Sequence, residues 1–418
     1  MALAPVSSSE RVPTLDVLRG LALYGVLTAN LVWIYSGLEL LPPDTIEHEG
    51  IAGLYVGIFV SGRAISTLTF LFGLVFAVQL ARADERGEDV RGVFLRRLLA
   101  MLMFGVAHVV LLWWGDVLWC YAIVGLALLW FRRGGVRTLL VWSAVLIFVP
   151  RLVAGLPGVQ DAIMSVVPRP ASRPAFNADV LTALAGDDRG ALTWAHLRKV
   201  VYDIGSIASW FFPWVLGHFL LGMAAGKARL FEHDGAGHRR LFRWLLAIGI
   251  AVAVIGMAAM LALRPRGGPI SELPLITQLG LKVLYELVTL GMVAIYISAV
   301  VLLMQRRIPR RLLMIFAPVG RMPLTTYLSQ SLFATFLFYG WGLGWIGEVT
   351  IADGVAIAAG IFAVQVAIAH LWLRRYRSGP LEWLWRAIAY GARQCQSSSI
   401  RSASVASGAG AGSSSCSG

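Results

Sequence analysis

Length, composition and charge exclude a soluble globular chain. The 418 residues are 58% hydrophobic and 14% charged, with a mean hydropathy of +0.72, whereas soluble domains carry about a quarter charged residues. The net charge of +13 is compatible with nucleic-acid binding, but the arginines lie in short loops beside apolar segments, which is the topology signal of a membrane protein. The composition therefore predicts an integral membrane protein that does not bind nucleic acid.

Apolar segments long enough to cross a bilayer recur along the chain. A helix of about 20 apolar residues spans the hydrocarbon core, and a helix satisfies its own backbone in lipid. The sequence predicts an all-α fold, a polytopic transmembrane bundle of about ten spans. The predicted spans are 15–35, 56–80, 95–114, 116–132, 137–156, 200–224, 243–263, 280–304, 320–340 and 351–373.

Basic residues concentrate in alternate loops, and such loops stay in the cytoplasm. With an even number of spans, this predicts both termini inside. The loop residues that carry the argument are Arg82, Arg86, Arg91, Arg96, Arg97, Arg132, Arg133, Arg137, Lys227, Arg229, Arg239, Arg240, Arg243, Arg306, Arg307, Arg310, Arg311, Arg374, Arg375 and Arg377.

Two segments divide the chain into parts. Residues 157–199 are proline-rich with mixed charge and predict an extracytoplasmic loop, which separates a five-span half at 1–156 from a five-span half at 200–390. Residues 391–418 are mostly Ser, Gly and Ala near the end of the chain. Such a composition buries too little apolar surface to fold and predicts a disordered tail.

The first span carries costly polar residues on one stripe. At 100° per residue, Arg19 lies about 60° and Asn30 about 40° from Asp16, and polar groups at membrane depth are candidate sites. A structural interpretation explains the pair equally well: Asp16 favours the helix N-terminus electrostatically, while the Arg19 side chain reaches the cytoplasmic headgroups. Asn30 is also explained as a helix–helix contact.

The third and fourth spans form a tight hairpin with Asp116 at its outer tip. His108 and Tyr121 lie at a similar depth below that tip, so their side chains can approach each other near the outer surface. This trio suits proton transfer, with His108 as the base and Asp116 fixing its tautomer. The alternative is a buried histidine beside an aspartate that caps the fourth helix.

Other polar positions allow two interpretations. Arg63, Arg151 and Asp203 lie near outer ends of spans and either bind an anionic group or pair with one another. Lys282 and Glu286 are one turn apart and predict a self-neutralising pair.

The inner half of the ninth span, with Arg321, Thr326 and Gln330, is too polar for lipid and predicts contact with the bundle interior or a cavity. Cys120, Cys395 and Cys416 lack metal-ligand spacing, so the sequence predicts no metal site and no bound cofactor.

A series of short motifs resembles one known family. The motifs are Leu15-Asp16-Val17-Leu18-Arg19-Gly20, Phe70-Leu71-Phe72-Gly73, Arg96-Arg97-Leu98-Leu99, the run Gly105 to His108, Gly115-Asp116-Val117-Leu118, Tyr121-Ala122, Gly320-Arg321-Met322, Thr326-Tyr327, Gln330-Ser331, Phe338-Tyr339-Gly340 and Gly379-Pro380-Leu381-Glu382-Trp383-Leu384-Trp385-Arg386. They resemble the YeiB-like bacterial membrane proteins, catalogued as domain of unknown function 418, over residues 11–390. The resemblance implies a multi-pass protein of the bacterial inner membrane, with the family's C-terminal domain in the second half.

The first span is also similar to that of transmembrane acyltransferases of the heparan-α-glucosaminide N-acetyltransferase type. In those enzymes an asparagine of the first helix is followed by a catalytic histidine in the next loop. Asn30 resembles the asparagine in position, and His48 lies in the corresponding loop at a longer spacing. This resemblance implies acyl transfer from a cytoplasmic thioester.

These observations lead to three hypotheses. The first is an acyltransferase that uses acyl-CoA as co-substrate and an envelope glycan or lipid as acceptor. His48 or His108 would be the base, with Asp116 beside it, and Asn30 or Tyr121 would stabilise the oxyanion. Arg19 and Arg321 would bind the anionic groups of the donor, with Asp16 orienting Arg19. The full set of predicted substrate- or donor-binding residues is Asp16, Arg19, Arg63, Arg321, Thr326 and Gln330. The second hypothesis is a transporter or flippase, and the third is a non-catalytic scaffold in the bilayer. The sequence does not indicate an oligomeric state.

Overall fold

The computed structural model describes residues 12–42, 50–86, 90–165, 172–263 and 270–390. Within these ranges the regular structure is helical and contains no β-strand, which confirms the all-α prediction. His48 and the tail at 391–418 lie outside the described residues. The helices are α1 (Pro13–Asn30), α2 (Ile51–Tyr55), α3 (Arg63–Arg86), α4 (Val90–Leu111), α5 (Leu118–Phe131), α6 (Val136–Val153), α7 (Val159–Ser165), α8 (Arg173–Ala185), α9 (Arg189–Ser206), α10 (Phe212–Lys227), α11 (Arg239–Leu263), α12 (Leu275–Met304), α13 (Arg307–Leu313), α14 (Ala317–Arg321), α15 (Pro323–Phe338), α16 (Ile351–Arg375) and α17 (Pro380–Tyr390).

In the described ranges, eight helical segments are long and apolar enough to cross a membrane. The shorter helices α5 and α15, of 14 and 16 residues, occupy the remaining predicted positions. The sixth crossing is longer than predicted, because α9 begins at Arg189 and continues through a π-helical turn into α10. The segment predicted as a loop, 157–199, therefore holds α7, α8 and the start of α9.

Glycines bring the central helices into close contact. A Cβ atom on Gly73 of α3 would lie 1.9 Å from the Phe219 carbonyl oxygen of α10, and one on Gly222 would lie 1.9 Å from the Phe70 oxygen. A Cβ atom on Gly320 of α14 would lie 1.8 Å from the Asp16 oxygen of α1. These contacts fix α3 against α10 and α14 against the start of α1, so the ends that carry polar residues are held together.

The two ends of the bundle differ in chemistry. The basic face carries the α5–α6 turn, residues 227–238, residues 305–316 and α17, which include the arginine-rich loops. The opposite face carries α8, the start of α9 and residues 339–350. By the positive-inside rule, the basic face is predicted to be cytoplasmic.

Candidate functional site

A cavity of about 810 Å³ lies at the basic face. Basic side chains from seven separate helices or turns line its mouth, together with three acidic ones. The basic residues are Arg19, Arg97, Arg132, Lys227, Arg229, Arg321 and Arg386, and the acidic residues are Asp16, Glu232 and Glu382. The mouth is therefore an electropositive surface, which attracts phosphate and carboxylate groups.

The interior of the same cavity is apolar. Leu23, Leu68 and Phe72 form its walls, and Tyr121 and Tyr327 also line it. A positive mouth above an apolar interior suits a ligand with an anionic head and a hydrocarbon or acyl arm.

The first span contributes the acid–base pair that was predicted from its sequence. Arg19 Nη1 lies 2.8 Å from Asp16 Oδ1, and both residues line the cavity with Arg321. The absence of a side chain at Gly320 permits this convergence, because α14 packs directly on the backbone of Asp16. Asp16, Arg19 and Arg321 are the predicted donor-binding residues that the structure brings together.

The helix α17 closes one side of the mouth. The Glu382 carboxylate accepts hydrogen bonds from the backbone N–H of Leu324 at 2.6 Å, from that of Thr325 at 3.0 Å and from Thr325 Oγ1 at 2.5 Å. It thus caps the N-terminus of α15. Burial raises the pKa of Glu382, and these donors oppose that shift. Trp385 Nε1 donates to the Arg97 carbonyl at 3.1 Å, and the Arg97 guanidinium lies 4.5 Å from the Trp385 ring centre.

His108 and Asp116 form a fully buried pair. His108 Nδ1 lies 2.8 Å from Asp116 Oδ1, and neither side chain is exposed. The second carboxylate oxygen accepts a hydrogen bond from the Trp119 N–H at 3.1 Å, so Asp116 also caps α5. Asp116 therefore makes both predicted contacts, and its part in proton transfer stays a prediction.

The pairing determines the tautomer of His108. A carboxylate only accepts, so a neutral imidazole beside it carries its proton on Nδ1 and keeps the lone pair on Nε2. Nε2 has no hydrogen-bond partner among the described residues. The neutral form of His108 in this arrangement is the form that a general base requires.

Tyr327, rather than the predicted Tyr121, is the tyrosine whose ring lies beside His108. The Tyr121 hydroxyl bonds to Thr69 Oγ1, whereas the ring of Tyr327 lies 5.5 Å from that of His108. The Tyr327 hydroxyl accepts a hydrogen bond from the Val117 N–H at 3.4 Å. Tyr327 borders both the cavity and the His108–Asp116 pair.

The sequence places the hairpin tip near the outer surface, but in the structure the tip is buried. Asp116 is 4% exposed and Trp113 is 1% exposed, because α9 packs against α4. Thr193 Oγ1 donates to the Val110 carbonyl at 3.3 Å. The outer segments therefore cover the tip and keep the pair away from bulk solvent.

Two other predicted binding residues hold helices together. Gln330 Nε2 donates to Gln365 Oε1 at 3.2 Å, and Gln365 Nε2 donates to the Thr326 carbonyl at 3.0 Å. Neither Thr326 nor Gln330 lines the cavity. Asn30 is half-buried at the end of α1, away from the basic face.

The outer arginines pair with partners on other helices. Arg151 Nη1 lies 2.8 Å from Glu286 Oε1, so the predicted Lys282–Glu286 pair is wrong. Glu286 is 1% exposed and also accepts from Trp214 Nε1 at 3.1 Å. A buried carboxylate needs several partners, and these two come from α6 and α10.

Arg63 and Asp203 likewise have partners. The Arg63 guanidinium lies 5.0 Å from the Tyr285 ring centre, and Asp203 Oδ2 lies 2.7 Å from Lys199 Nζ. Arg63 does not line the cavity at the basic face.

Sequence reasoning missed several residues of the site. Arg97, Lys227 and Arg386 line the mouth but were used only as topology signals or as part of a motif. Tyr327 was noted only within the motif Thr326-Tyr327. These residues come together only through helix packing, which the sequence does not show. The motif at 379–386 is the one sequence signal that could have indicated that α17 lines the cavity mouth.

Comparisons with known proteins agree with these motifs. The family described as "Protein of unknown function (DUF418)" matches residues 225–392. The chain is 32% identical to the uncharacterized protein YxaH of Bacillus subtilis (strain 168), over 93% of this chain and 96% of that protein. The chain belongs to the YeiB-like DUF418 family.

Two further relatives of the family align over most of their length. The chain is 26% identical to an uncharacterized 39.9 kDa protein of Bacillus acidopullulyticus, over 92% of this chain and 96% of that protein. It is 24% identical to the uncharacterized protein YeiB of Escherichia coli (strain K12), over 91% of this chain and 96% of that protein. No solved structure matches the chain.

The family motifs coincide with the contacts that build the site. A Cβ atom on Gly105 would lie 2.4 Å from the Trp119 nitrogen and 2.8 Å from Asp116 Oδ2, so this glycine lets the hairpin close around the pair. A Cβ atom on Gly379 would lie 2.1 Å from Glu382 Oε2. Within this DUF418 protein, the motifs therefore support the cavity mouth and the buried pair.

Proposed function

We propose that this multi-pass protein is a transferase of the bacterial inner membrane that moves an acyl group from a cytoplasmic coenzyme A thioester to an acceptor. The observation that carries the proposal is the electropositive cavity whose apolar interior reaches Tyr327, beside the His108–Asp116 pair. The phosphates of such a donor match the basic mouth, and its pantetheine and acyl arms match the apolar walls.

The reaction follows from the chemistry of the buried pair. His108 Nε2 accepts the proton of the acceptor hydroxyl, whose oxygen forms a bond to the thioester carbonyl carbon. The C–S bond breaks, and the leaving thiolate takes the proton from the imidazolium. Asp116 stabilises that imidazolium, and the Tyr327 hydroxyl donates to the oxyanion.

Binding of labelled acyl-CoA to the purified protein tests the proposal at its first step. Removing a guanidinium that contacts phosphate costs about 1.5–3 kcal/mol, so Arg321→Ala should weaken binding roughly 10- to 100-fold. Arg240→Ala is the matched control, because Arg240 is an exposed arginine of the basic face that does not line the cavity. A wild-type protein that binds no acyl-CoA would end the proposal.

A transporter is the second candidate, because the cavity is accessible from one face and lies within a bundle of crossing helices. Its ligand would be a phosphorylated or lipid-linked solute. Uptake by proteoliposomes with no release of coenzyme A would favour transport. A scaffold would show neither, and substitutions of His108 or Arg19 would lower only its abundance.

A further inference from the structure

A second group of buried polar side chains lies next to His108. Trp113, His196 and Tyr339, which we call the tip site, are 1%, 0% and 0% exposed. The Trp113 Nε1, both ring nitrogens of His196 and the Tyr339 hydroxyl make no hydrogen bond within the described part of the chain. The Val109 carbonyl lies near His196, but without hydrogen-bond geometry.

The tip site is continuous with the proposed base. Ring centres lie 6.0 Å apart for His108 and Trp113, 6.4 Å for Trp113 and Trp114, 5.7 Å for Trp114 and His196, and 6.0 Å for His196 and Tyr339. These residues come from the hairpin, from α9 and from the end of α15. Three separate segments thus place orphaned polar atoms in one region.

The other side of the tip site approaches the opposite face. Lys199 follows His196 by one turn of α9, and its Nζ lies 2.7 Å from Asp203 Oδ2 and 3.7 Å from Glu39 Oε1. The side chains of Asp203 and Glu39 are 34% and 32% exposed. The turn of α9 that follows His196 is therefore in contact with groups that reach solvent.

Orphaned polar atoms at this density indicate an occupant. Buried polar groups in folded proteins are nearly all hydrogen-bonded, to protein or to water, and each one left unpaired costs the desolvation of that group. With the His108 Nε2, five such atoms occur on four neighbouring side chains. Water or the hydroxyl groups of a ligand would satisfy them.

The chemistry of these atoms selects the kind of ligand. An indole N–H only donates, a neutral imidazole donates and accepts, and a phenol does both, which matches hydroxyl groups. The tip site itself contains no Lys or Arg, and the nearby Lys199 is already paired with two carboxylates. An anion therefore has no cation to meet there, and the aromatic rings provide apolar surface for the carbon skeleton of an alcohol.

We propose that the tip site binds the hydroxyl groups of the acceptor, an alcohol or sugar that reaches His108 from the opposite face. This assignment rests on the proposed transferase function. The donor then occupies the cavity at the basic face and the acceptor occupies the tip site, and Tyr327 and His108 lie between them. When no acceptor is bound, water occupies the same positions.

Radiolytic hydroxyl-radical labelling of the wild-type protein tests the hydration. Bound water generates radicals in place, so Trp113, His196 and Tyr339 should be labelled several-fold more than Phe76 and Phe242. These two phenylalanines are equally buried, at 2% and 1% exposure, and carry no polar atom. Labelling of the tip site at the level of these phenylalanines would overturn the proposal.

The acceptor role is tested with acyl-CoA as donor and glycerol or glucose as acceptor. Tyr339→Phe keeps the ring and His196→Phe keeps an aromatic ring, and both remove the polar atoms, so the acceptor KM should rise about tenfold for each lost hydrogen bond. The acyl-CoA Kd should stay unchanged. His370→Phe is the control, because this half-buried histidine on α16 bonds to the Val366 carbonyl.

The outcomes separate the two proposals. If acyl-CoA binds but neither variant changes the acceptor KM, the tip site does not bind the acceptor and the transferase proposal stands. If the tip site is labelled but the wild-type protein binds no acyl-CoA, the transferase proposal and the acceptor assignment both fail.

Discussion

Asp116 illustrates how one side chain serves both folding and the proposed chemistry. One oxygen lies 2.8 Å from His108 Nδ1, and the other caps α5 at 3.1 Å. Sequence reasoning treated these roles as alternatives, because spacing along the chain does not show that the two oxygens face different partners. The structure makes them compatible.

Asp116→Asn should separate the two roles. An asparagine oxygen can still cap α5, but its amide group can donate to Nδ1 and so shift the proton to Nε2, which removes the base. We expect the rate of acyl transfer to fall about 10²- to 10⁴-fold, with the acyl-CoA Kd unchanged.

The measurement is single-turnover transfer by purified protein. Asp353→Asn is the control, since Asp353 belongs to the capping box of α16 at Thr350. If Asp116→Asn kept the wild-type rate, Asp116 would be only a helix cap.

At the scale of elements, the packing of α3 on α10 depends on small residues. A Cβ atom on Gly222 would lie 1.9 Å from the Phe70 oxygen and 2.8 Å from the Leu74 nitrogen. Backbone atoms cannot move aside as a flexible side chain can, so the helices would have to separate. The walls of the cavity, which include Leu74 and Gly226, depend on the same contact.

Gly222→Ala should therefore lower the thermal unfolding temperature in detergent, since overpacking costs about 1–3 kcal/mol. Gly280→Ala is the matched control, because Gly280 lies in α12 and a Cβ atom there meets nothing within 4 Å. The better helix propensity of alanine should leave the control as stable as the wild type, or more so. Equal losses in both variants would contradict this account of the α3–α10 contact.

The attachment of α17 depends on one carboxylate. Glu382→Ala would leave the N–H groups of Leu324 and Thr325 without their acceptor, and α17 should detach from α15. We expect faster trypsin cleavage after Arg386 and weaker acyl-CoA binding. Glu382→Gln keeps an acceptor oxygen and should be milder, and Glu348→Ala, on an exposed residue of the opposite face, should change neither readout. Normal binding by Glu382→Ala would exclude α17 from the mouth.

The orientation of the whole molecule remains a prediction from charge. In a background with the three cysteines replaced by serine, Gly237→Cys and Glu348→Cys place one thiol on each face, at exposed positions. An impermeant maleimide should label only Glu348→Cys in intact cells, because the basic face lies inside. Both should react after permeabilisation, which shows that each thiol is reachable. The reverse pattern would place the cavity mouth outside the cell.

The architecture was largely predictable from the sequence, whereas the site was predictable in part. Long apolar runs predict helices directly, because a backbone in lipid must form its own internal hydrogen bonds. Asp16, Arg19 and Arg321 were predicted because a charge inside a span is conspicuous. The contact between the Arg97 guanidinium and the Trp385 ring was not predicted, because these residues lie far apart in the chain and meet only where α4 packs against α17.

The choice of partner for Glu286 shows the same limit. Periodicity along one helix favours Lys282, but the carboxylate is completed by Arg151 and Trp214 from neighbouring helices. Spacing along the sequence shows which residues share one face of a helix. The partners of a buried residue depend on which helices pack against that face.

The position of α17 in the chain has a consequence for biogenesis. Residues 380–390 are translated after every crossing in the described part of the chain, yet Glu382, Trp385 and Arg386 line the cavity mouth. A nascent chain still emerging from the ribosome therefore lacks a finished ligand pocket, even when its earlier helices are inserted. Ligand binding then begins only after α17 has been synthesised, so a ribosome-stalled fragment that ends before α17 should bind no ligand.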